Sequence, residues 1–209
     1  MNVAIVTFDG FNEIDSFVAF SILNRVKQPL WNVQITSPTA QVTSMNGVTI
    51  QSQQPLSFAN TADVVLFGSG IHTRRLSEDE SILSAFVLDP KRQLIGSQCS
   101  GALMLSKLGL LAGPAATDLT TKPYLEALGT PVCDQPFWAV GNLATAGGCL
   151  SSPYLAGWVI SKCWDDFTRD QALGYVAPVG EKETYVSHIA QVLDPFLRED
   201  GTSLAMSCS

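Results

Sequence analysis

The sequence predicts an α/β fold: one domain with a mostly parallel sheet that is covered by helices on both faces. Short apolar runs alternate with segments of helical periodicity, and this alternation is typical of parallel strands joined by crossover helices. The 209 residues, of which 46% are hydrophobic and 15% charged, suit one domain with a sizeable core. No repeat or interdomain linker interrupts the pattern.

The strands are predicted from apolar runs that end at glycine or at polar residues. In chain order they are residues 2–8, 31–36, 62–67 and the run ending at Leu94-Ile95, with hairpins at residues 42–50 and 137–145 and a short strand at residues 115–119. Asn46-Gly47 and Gly141 mark the bends of the two hairpins.

The helices are predicted from apolar residues spaced three and four positions apart. Ser77 opens a capping box, Gly109 ends a helix, and Pro153 lies in the first turn of a long one. The predicted helices are residues 12–23, 77–86, 102–108, 124–128, 152–164 and 168–175. Because the pattern weakens after that, we divide the chain into a domain, residues 1–180, and a C-terminal tail, residues 181–209, which forms a last helical turn or packs on a partner subunit.

Charge limits the classes of partner. The formal net charge is −7 and the pI about 4.7, and because an acidic surface repels phosphate backbones we expect no nucleic-acid partner. No apolar run is long enough to cross a bilayer and the sequence begins directly with a strand pattern, so we expect no membrane association and a cytoplasmic location. The low charged fraction favours an apolar surface that a partner subunit covers.

Cysteine and histidine usage limits the cofactors. The five cysteines are odd in number and lack C-x-x-C spacing, which argues against a disulfide framework. The two histidines, His72 and His188, and the scattered cysteines argue against a structural zinc site.

The candidate nucleophile is Cys99, which falls between the strand ending near Ile95 and the helix at residues 102–108. Small residues flank it, Ser97 and Gly101, so that a sharp strand-to-helix corner is sterically allowed. A thiol at the positive end of a helix is expected to have a lowered pKa. The alternative is a buried cysteine that acts as a small hydrophobic residue.

Two other predicted strands end beside residues that suit the same chemistry. Asp15 has apolar neighbours on both sides, so of the two acidic residues it is the one expected to face inward with a raised pKa. The alternative is that both acids stabilise the helix start, and this is the preferred interpretation for Glu13. Glycines at Gly68-Ser69-Gly70 offer backbone amides for an oxyanion, or form a tight turn. Because the carboxyl ends of parallel strands meet at one edge of the sheet, we expect these groups to converge on Cys99.

Four motifs occur in order: Phe8-Asp9-Gly10-Phe11-Asn12-Glu13-Ile14-Asp15, Phe67-Gly68-Ser69-Gly70, Ser97-Gln98-Cys99-Ser100-Gly101-Ala102-Leu103 and Thr145-Ala146-Gly147-Gly148. Together they resemble the ThiJ/PfpI superfamily of class I glutamine-amidotransferase-like domains, across residues 1–180. The resemblance implies a flavodoxin-like sandwich and a homodimer. It is strongest to the isonitrile (isocyanide) hydratase branch, in which Thr or Ser and then Gly follow the cysteine.

The resemblance also implies roles for individual residues. The nucleophile falls on Cys99, its acidic partner on Asp15 and the oxyanion amides on Gly70 and Ser100. Glu13 and Gly101 stand in supporting positions.

The chain departs from the superfamily pattern at several positions. Gly68-Ser69-Gly70 replaces the usual Pro-Gly-Gly, Val18-Ala19 stand where hydratases carry Gly-Pro, and Asp118-Leu119-Thr120 replaces a Thr-His-Trp stretch. The residue after Cys99 is Ser100 rather than histidine, which argues against the protease-like members.

The activity that the resemblance implies is hydration of an isocyanide to an N-substituted formamide, through a thioimidate on Cys99 and with proton transfer by Asp15. This chemistry needs neither a metal nor an organic cofactor, so the resemblance implies none. Three alternatives stay open at this point. They are a glyoxalase that acts without glutathione, a redox sensor whose thiolate oxidises to sulfinate beside a protonated carboxyl, and a small-molecule-binding module without turnover.

Overall fold

The computed structural model describes residues 1–111 and 113–197, in which nine strands occur. They are β1 (Asn2–Val6), β2 (Asn32–Ser37), β3 (Gln41–Thr43), β4 (Thr49–Gln51), β5 (Gln54–Pro55), β6 (Val64–Phe67), β7 (Leu94–Gln98), β8 (Phe137–Val140) and β9 (Leu143–Ala146). Seven of them form one sheet in the order β5-β2-β1-β6-β7-β9-β8, and β3 and β4 form a separate hairpin. Only the β8–β9 pair in the main sheet is antiparallel, so the predicted mostly parallel sheet is confirmed.

Eight α-helices cover the sheet within the described ranges. They are α1 (Glu13–Leu23), α2 (Thr73–Leu76), α3 (Glu80–Leu83), α4 (Ala102–Lys107), α5 (Lys122–Ala127), α6 (Ser152–Cys163), α7 (Asp166–Val176) and α8 (Lys182–Leu197). Helices α1, α6, α7 and α8 bury one face of the sheet, and α3 and α4 pack on the other. None of the described helices combines the length and the apolar character that a membrane crossing requires.

Strand β1 shows why this sheet needs helices on both sides. Val3 and Ile5 pack into the core beside α1 and α6, whereas Ala4 and Val6 pack into the core beside α4. All four side chains are 0–1% exposed. Successive side chains of a strand point to opposite faces, so a strand buried on both faces appears in the sequence as a continuous apolar run.

The order of the strands fixes where a ligand site is expected. Strand β1 lies between β2 and β6, so the chain order reverses between β1 and β6. In open α/β sheets, ligands bind outside the carboxyl ends of the strands at such a reversal. Strands β1, β6, β7 and β9 all end at this edge because they are parallel neighbours.

The predicted capping box at Ser77 is wrong. Ser77 instead ends α2, with its backbone N–H donating to the carbonyl of Thr73. Helix α3 begins after Asp79, whose side chain accepts a hydrogen bond from the Ser81 N–H at 2.9 Å. Ser77 and Asp79 are both residue types that cap helices, and the sequence pattern selected the earlier of the two.

Two further predictions differ from the structure. Residues 115–119, all of them described, form no strand, and Ala115 makes a single isolated bridge with Val132. The weakly patterned segment after residue 180 forms the 16-residue helix α8, whose Ile189 and Leu193 are buried against the sheet and α6 of the same chain. The rest of the predicted tail, residues 198–209, lies outside the described residues, and the boundary at residue 180 stays a prediction.

Candidate active site

Cys99 lies at the corner where β7 ends and a 3-10 turn, Cys99–Gly101, leads into α4. Its φ of 47° is in the left-handed region, which costs a non-glycine residue roughly 1–2 kcal/mol. Gly101 makes the corner possible, because a Cβ there would lie 2.7 Å from the Gly68 carbonyl oxygen and 2.8 Å from that of Phe67. The predicted sharp corner is confirmed, and the position of Gly101 has a steric explanation.

Asp15 projects from the first turn of α1 and is only 2% exposed. Asn12 caps the helix, accepting a hydrogen bond from the Ile14 N–H at 3.1 Å. The Ser69 hydroxyl donates to Oδ2 of Asp15, whereas Oδ1 has no conventional hydrogen-bond partner among the described residues. The prediction that this carboxyl group faces inward is confirmed.

Asp15, Cys99 and Cys149 form one cluster. The carboxylate oxygen and the two sulfurs all lie within 4.8 Å of one another. Cys149 begins the 3-10 turn Cys149–Ser151 just beyond β9, the neighbour of β7 in the sheet. The amide of Asn12 donates to the sulfur of Cys149 at 3.2 Å.

Cys149 was not among the site residues predicted from the sequence. Its place beside Cys99 depends on β7 and β9 being neighbours, and strand order is not readable from periodicity. The glycine pair directly before it, Gly147-Gly148, was nevertheless among the four motifs. That pair was a signal that the loop after β9 reaches the same edge of the sheet.

The electrostatics of the cluster are set by burial. Burial raises the pKa of Asp15, and this effect outweighs the lowering by hydrogen bonds from Ser69 and the two thiols. Burial also raises the pKa of Cys99, and the negative charge of Asp15 raises it further. Cys149 shifts in the same direction for the same two reasons. The cluster therefore holds its protons more tightly than the isolated groups would.

The predicted lowering of the Cys99 pKa is therefore wrong. The sequence indicated a thiol at the positive end of a helix, but Cys99 is only 4% exposed and its sulfur lies within 4.8 Å of a carboxylate oxygen. The helix behind it is also short, with only six residues in α4. Activation of this thiol consequently needs a base that removes its proton during the reaction, and Asp15 is in place to be that base.

A cavity of about 430 Å³ opens at the cluster. Its lining contains polar and apolar side chains from six segments of the chain: Asn12, Met45, Ser69, Gly70, Ile71, Arg74, Cys99, Ser100, Leu103, Asp118, Thr120, Thr121, Tyr124 and Cys149. Arg74 lies 4.5 Å above the ring of Tyr124 and donates to its hydroxyl at 2.6 Å. Neither His72 nor His188, the two histidines of the chain, lines this cavity.

The remaining predicted site residues divide into two groups. Gly70 and Ser100 line the cavity, and a Cβ at Gly70 would lie 2.2 Å from the Gly10 carbonyl oxygen. Glu13 lies outside the lining: Asn46 donates to it at 2.8 Å, and a hydrogen bond from Ser44 is the main cause of its lowered pKa. Glu13 therefore holds the β3–β4 hairpin against the start of α1, and its supporting role in the site stays a prediction.

Asp118 stands in the cavity where the superfamily pattern has its Thr-His-Trp stretch. Its carboxylate accepts hydrogen bonds from the backbone N–H groups of Thr120 and Thr121, both at 3.0 Å. These hydrogen bonds hold the carboxylate against the backbone of its own turn. Its charge nevertheless contributes to the raised pKa of both Asp15 and Cys99.

The cluster also has the donor types of a metal site. Two sulfurs and a carboxylate oxygen within 4.8 Å suit a thiophilic divalent cation. Structural zinc sites use four protein ligands, and the described part of the chain offers three here. The expectation of a cofactor-free protein stays a prediction.

A family model described as the DJ-1/PfpI family matches residues 1–162. Among solved structures, Schizosaccharomyces pombe DJ-1 superimposes with a TM-score of 0.74 at 18% identity, covering 85% of this chain and 100% of its own. A ThiJ/PfpI family protein from Pseudomonas syringae gives a TM-score of 0.74 at 17% identity, covering 94% and 88%. A mutant of a DJ-1 superfamily protein from Salmonella typhimurium gives a TM-score of 0.71 at 23% identity, covering 85% and 98%.

These structural likenesses establish the fold alone, since all three identities are low. Among curated protein sequences, none matches this chain significantly.

Proposed function

This chain belongs to the DJ-1/PfpI family, and from that premise we propose that it is a cysteine-dependent hydratase that adds water to an isocyanide. The observation that carries the proposal is the pairing of Cys99 with Asp15. The strained corner presents the sulfur to the cavity, and the buried carboxyl lies within 4.8 Å of it. A nucleophile beside an acid–base group is what covalent hydration needs.

The first half of the proposed reaction forms a covalent bond to the enzyme. As the Cys99 sulfur attacks the terminal carbon of R–N≡C, its proton passes to Asp15. Asp15 then delivers that proton to the attacked carbon, which gives the thioimidate R–N=CH–S–Cys99. Both transfers need a carboxyl group that exchanges protons readily near neutral pH, and burial moves the pKa of Asp15 upward, toward that range.

The second half returns the free thiol. Asp15 accepts a proton from a water molecule as its oxygen adds to the thioimidate carbon, and it passes that proton to the substrate nitrogen. The tetrahedral adduct R–NH–CH(OH)–S–Cys99 then collapses: the C–S bond breaks, the hydroxyl proton passes through Asp15 to the departing sulfur, and the product is the formamide R–NH–CHO. The amides of Gly70 and Ser100 are proposed to stabilise negative charge on the substrate during these steps. Their position in the cavity lining supports that role.

The cavity supports a small substrate. Its volume of about 430 Å³ lies within the usual range of small-molecule sites, roughly 300–1,000 Å³. Met45, Ile71, Leu103 and Tyr124 supply apolar surface against which an aryl or alkyl R group can pack.

The direct test is the consumption of p-nitrophenyl isocyanide with identification of the formamide product. Wild-type protein and a Cys163→Ser control, altered at the last residue of α6 and outside the cavity, are expected to turn over at equal rates. Cys99→Ser is expected to show no turnover above buffer. Turnover by Cys99→Ser at the wild-type rate, or no formamide from any of the proteins, would refute the proposal.

A glyoxalase-like activity is the competing enzyme assignment. The absence of both histidines from the cavity lining disfavours it, because proton transfer at a substrate carbon would then fall to Asp15 alone. Methylglyoxal as substrate, with lactate as the measured product, separates the two activities. Lactate formation that exceeds isocyanide turnover would replace the hydratase assignment.

The homodimer and the cytoplasmic location are also proposals. An apolar groove runs along α1, lined in part by Ile14, Phe17, Leu150 and Pro153, and Ile14 and Leu150 are largely exposed. A second copy of the chain would cover this surface, and sedimentation analysis tests its presence. Cys99, Cys149 and Cys163 form no disulfide, and such thiols suit a reducing compartment.

A further inference from the structure

Cys149 has no part in the proposed hydration, and yet its sulfur lies beside the nucleophile. It extends from the loop after β9 toward Cys99 at the end of β7. The two backbones are tied together directly before the cysteines, because the Gln98 side chain donates to the carbonyl oxygen of Gly148 at 2.5 Å. The pairing of the sulfurs is therefore built into the sheet edge.

The two sulfurs are separated by no more than 4.8 Å. A disulfide requires them to approach to about 2.05 Å, and rotation of cysteine side chains between staggered positions moves a sulfur on this scale. Each sulfur also has an N–H donor beside it: Asn12 at 3.2 Å from Cys149 and Gln98 at 3.8 Å from Cys99. Such donors stabilise a thiolate that forms during a reaction.

Both sulfurs line the cavity of about 430 Å³, so a small oxidant can reach them from solvent. Asp15 is the acid of the cluster, with an oxygen within 4.8 Å of either sulfur. The other two described cysteines lie elsewhere. Cys133 is buried, Cys163 is the last residue of α6, and neither lines the cavity.

We propose that Cys99 and Cys149 form a redox-active dithiol that reduces hydroperoxides and closes to a disulfide. The Cys99 thiol passes its proton to Asp15 as the sulfur attacks the distal oxygen of R–O–O–H, the O–O bond breaks, and Asp15 returns that proton to the departing alkoxide, which leaves as R–OH. The sulfur of Cys149 then attacks the resulting sulfenic acid, its thiol proton passes to the departing hydroxyl group, and water leaves. In sum, two thiols and one hydroperoxide give one disulfide, one alcohol and one water, and an external thiol reductant restores the dithiol.

The disulfide occupies the sulfur that the proposed hydratase needs, so the oxidised protein would be inactive as a hydratase. That consequence rests on the proposed function, whereas disulfide formation does not. It also protects Cys99, because a sulfenic acid captured by Cys149 does not proceed to the irreversible sulfinic acid.

The experiment measures mass, so its result is independent of isocyanide turnover. Full-length wild-type protein, Cys149→Ser and Cys163→Ser are treated with equimolar hydrogen peroxide, free thiols are alkylated, and intact masses and non-reduced peptides are analysed. Wild type and Cys163→Ser are expected to lose two hydrogens and to give a peptide pair cross-linked between Cys99 and Cys149, and dithiothreitol reverses both changes.

Cys149→Ser is nearly isosteric and is expected to accumulate sulfinic acid on Cys99 at least about tenfold faster than wild type. Asn12→Asp adds an independent check, since it keeps the helix-capping oxygen but loses the N–H donor to Cys149. Its ratio of cross-link to sulfinic acid is expected to lie between those of wild type and Cys149→Ser. Equal sulfinic acid formation in wild type and Cys149→Ser, a cross-link to another cysteine, or no reaction at Cys99 would overturn the proposal.

Discussion

Replacing Asp15 by asparagine separates the two effects of this carboxyl group. Asp15 is the acidic residue of the thiol cluster, and its Oδ1 has no other hydrogen-bond partner among the described residues. The other carboxylate of the cavity, Asp118, is occupied by backbone N–H groups. A positioned general acid–base contributes about 10²–10⁴-fold, so we expect kcat/KM to fall by that factor, about 3–5 kcal/mol in activation free energy.

The same substitution is expected to change the thiol in the opposite sense. The negative charge of Asp15 raises the pKa of Cys99, although less than burial does. In Asp15→Asn the burial remains but the charge is lost, so the thiolate should form at lower pH than in wild type. Turnover would thus decrease while the nucleophile becomes easier to ionise.

The assay combines steady-state hydration of p-nitrophenyl isocyanide with the thiolate absorbance near 240 nm. The titration of Cys99 is isolated by subtracting a matched absorbance curve. The curve of Cys99→Ser is subtracted from that of wild type, and the curve of the double variant Asp15→Asn, Cys99→Ser from that of Asp15→Asn. Near wild-type turnover in Asp15→Asn, or a thiolate that forms at higher pH than in wild type, would refute the proposed acid–base role.

Three further predictions concern the structure around the pair. Gly101→Ala places a Cβ 2.7 Å from the Gly68 carbonyl oxygen, whereas a Cβ at Gly113 meets nothing within 4 Å. Denaturant titration should show that Gly101→Ala lowers the free energy of unfolding by about 1–3 kcal/mol and that Gly113→Ala changes it little. Because burial raises the folded-state pKa of Asp15, the ionised carboxyl reduces stability above its ordinary pKa of about 4. Asp15→Asn should therefore unfold at a higher denaturant concentration than wild type at pH 7, and this difference in stability should disappear as the pH falls below about 4. An equal difference in stability at every pH would contradict the raised pKa of Asp15. Glu13→Gln removes one of the two acceptor oxygens that hold the hairpin but changes no residue of the cavity lining, so its hydration rate should stay within about threefold of wild type. A loss like that of Asp15→Asn would place Glu13 in the chemistry.

The sequence alone predicted the features that depend on local pattern. The buried strands β1, β6 and β7 follow from apolar runs, and the positive φ values at Gly47 and Gly141 occur at the predicted hairpin bends. The corner at Cys99 and the inward direction of Asp15 likewise follow from their immediate neighbours. These features need only the residues within a few positions of each other.

The features that the sequence did not yield depend on tertiary contacts. The proximity of Cys149 to Cys99 requires the β7–β9 pairing, which joins segments about fifty residues apart. The raised pKa of Cys99 requires its burial and the carboxyl group of α1, and neither is visible in the motif around the cysteine. Helix α8 is a different case, because its apolar residues Ile189, Val192, Leu193 and Phe196 recur at helical spacing and the local pattern was sufficient to predict it.

The most direct test of the hydratase account is the mass of the Cys99 peptide during turnover. Wild-type protein is mixed with excess p-nitrophenyl isocyanide, quenched in acid within the first turnover, and digested. We predict that Cys99 carries an added mass equal to the whole isocyanide, that this adduct disappears as the formamide is released, and that Cys163 carries none. Formamide released at the full rate with Cys99 unmodified at every quench time, or an adduct on a different residue, would contradict the account.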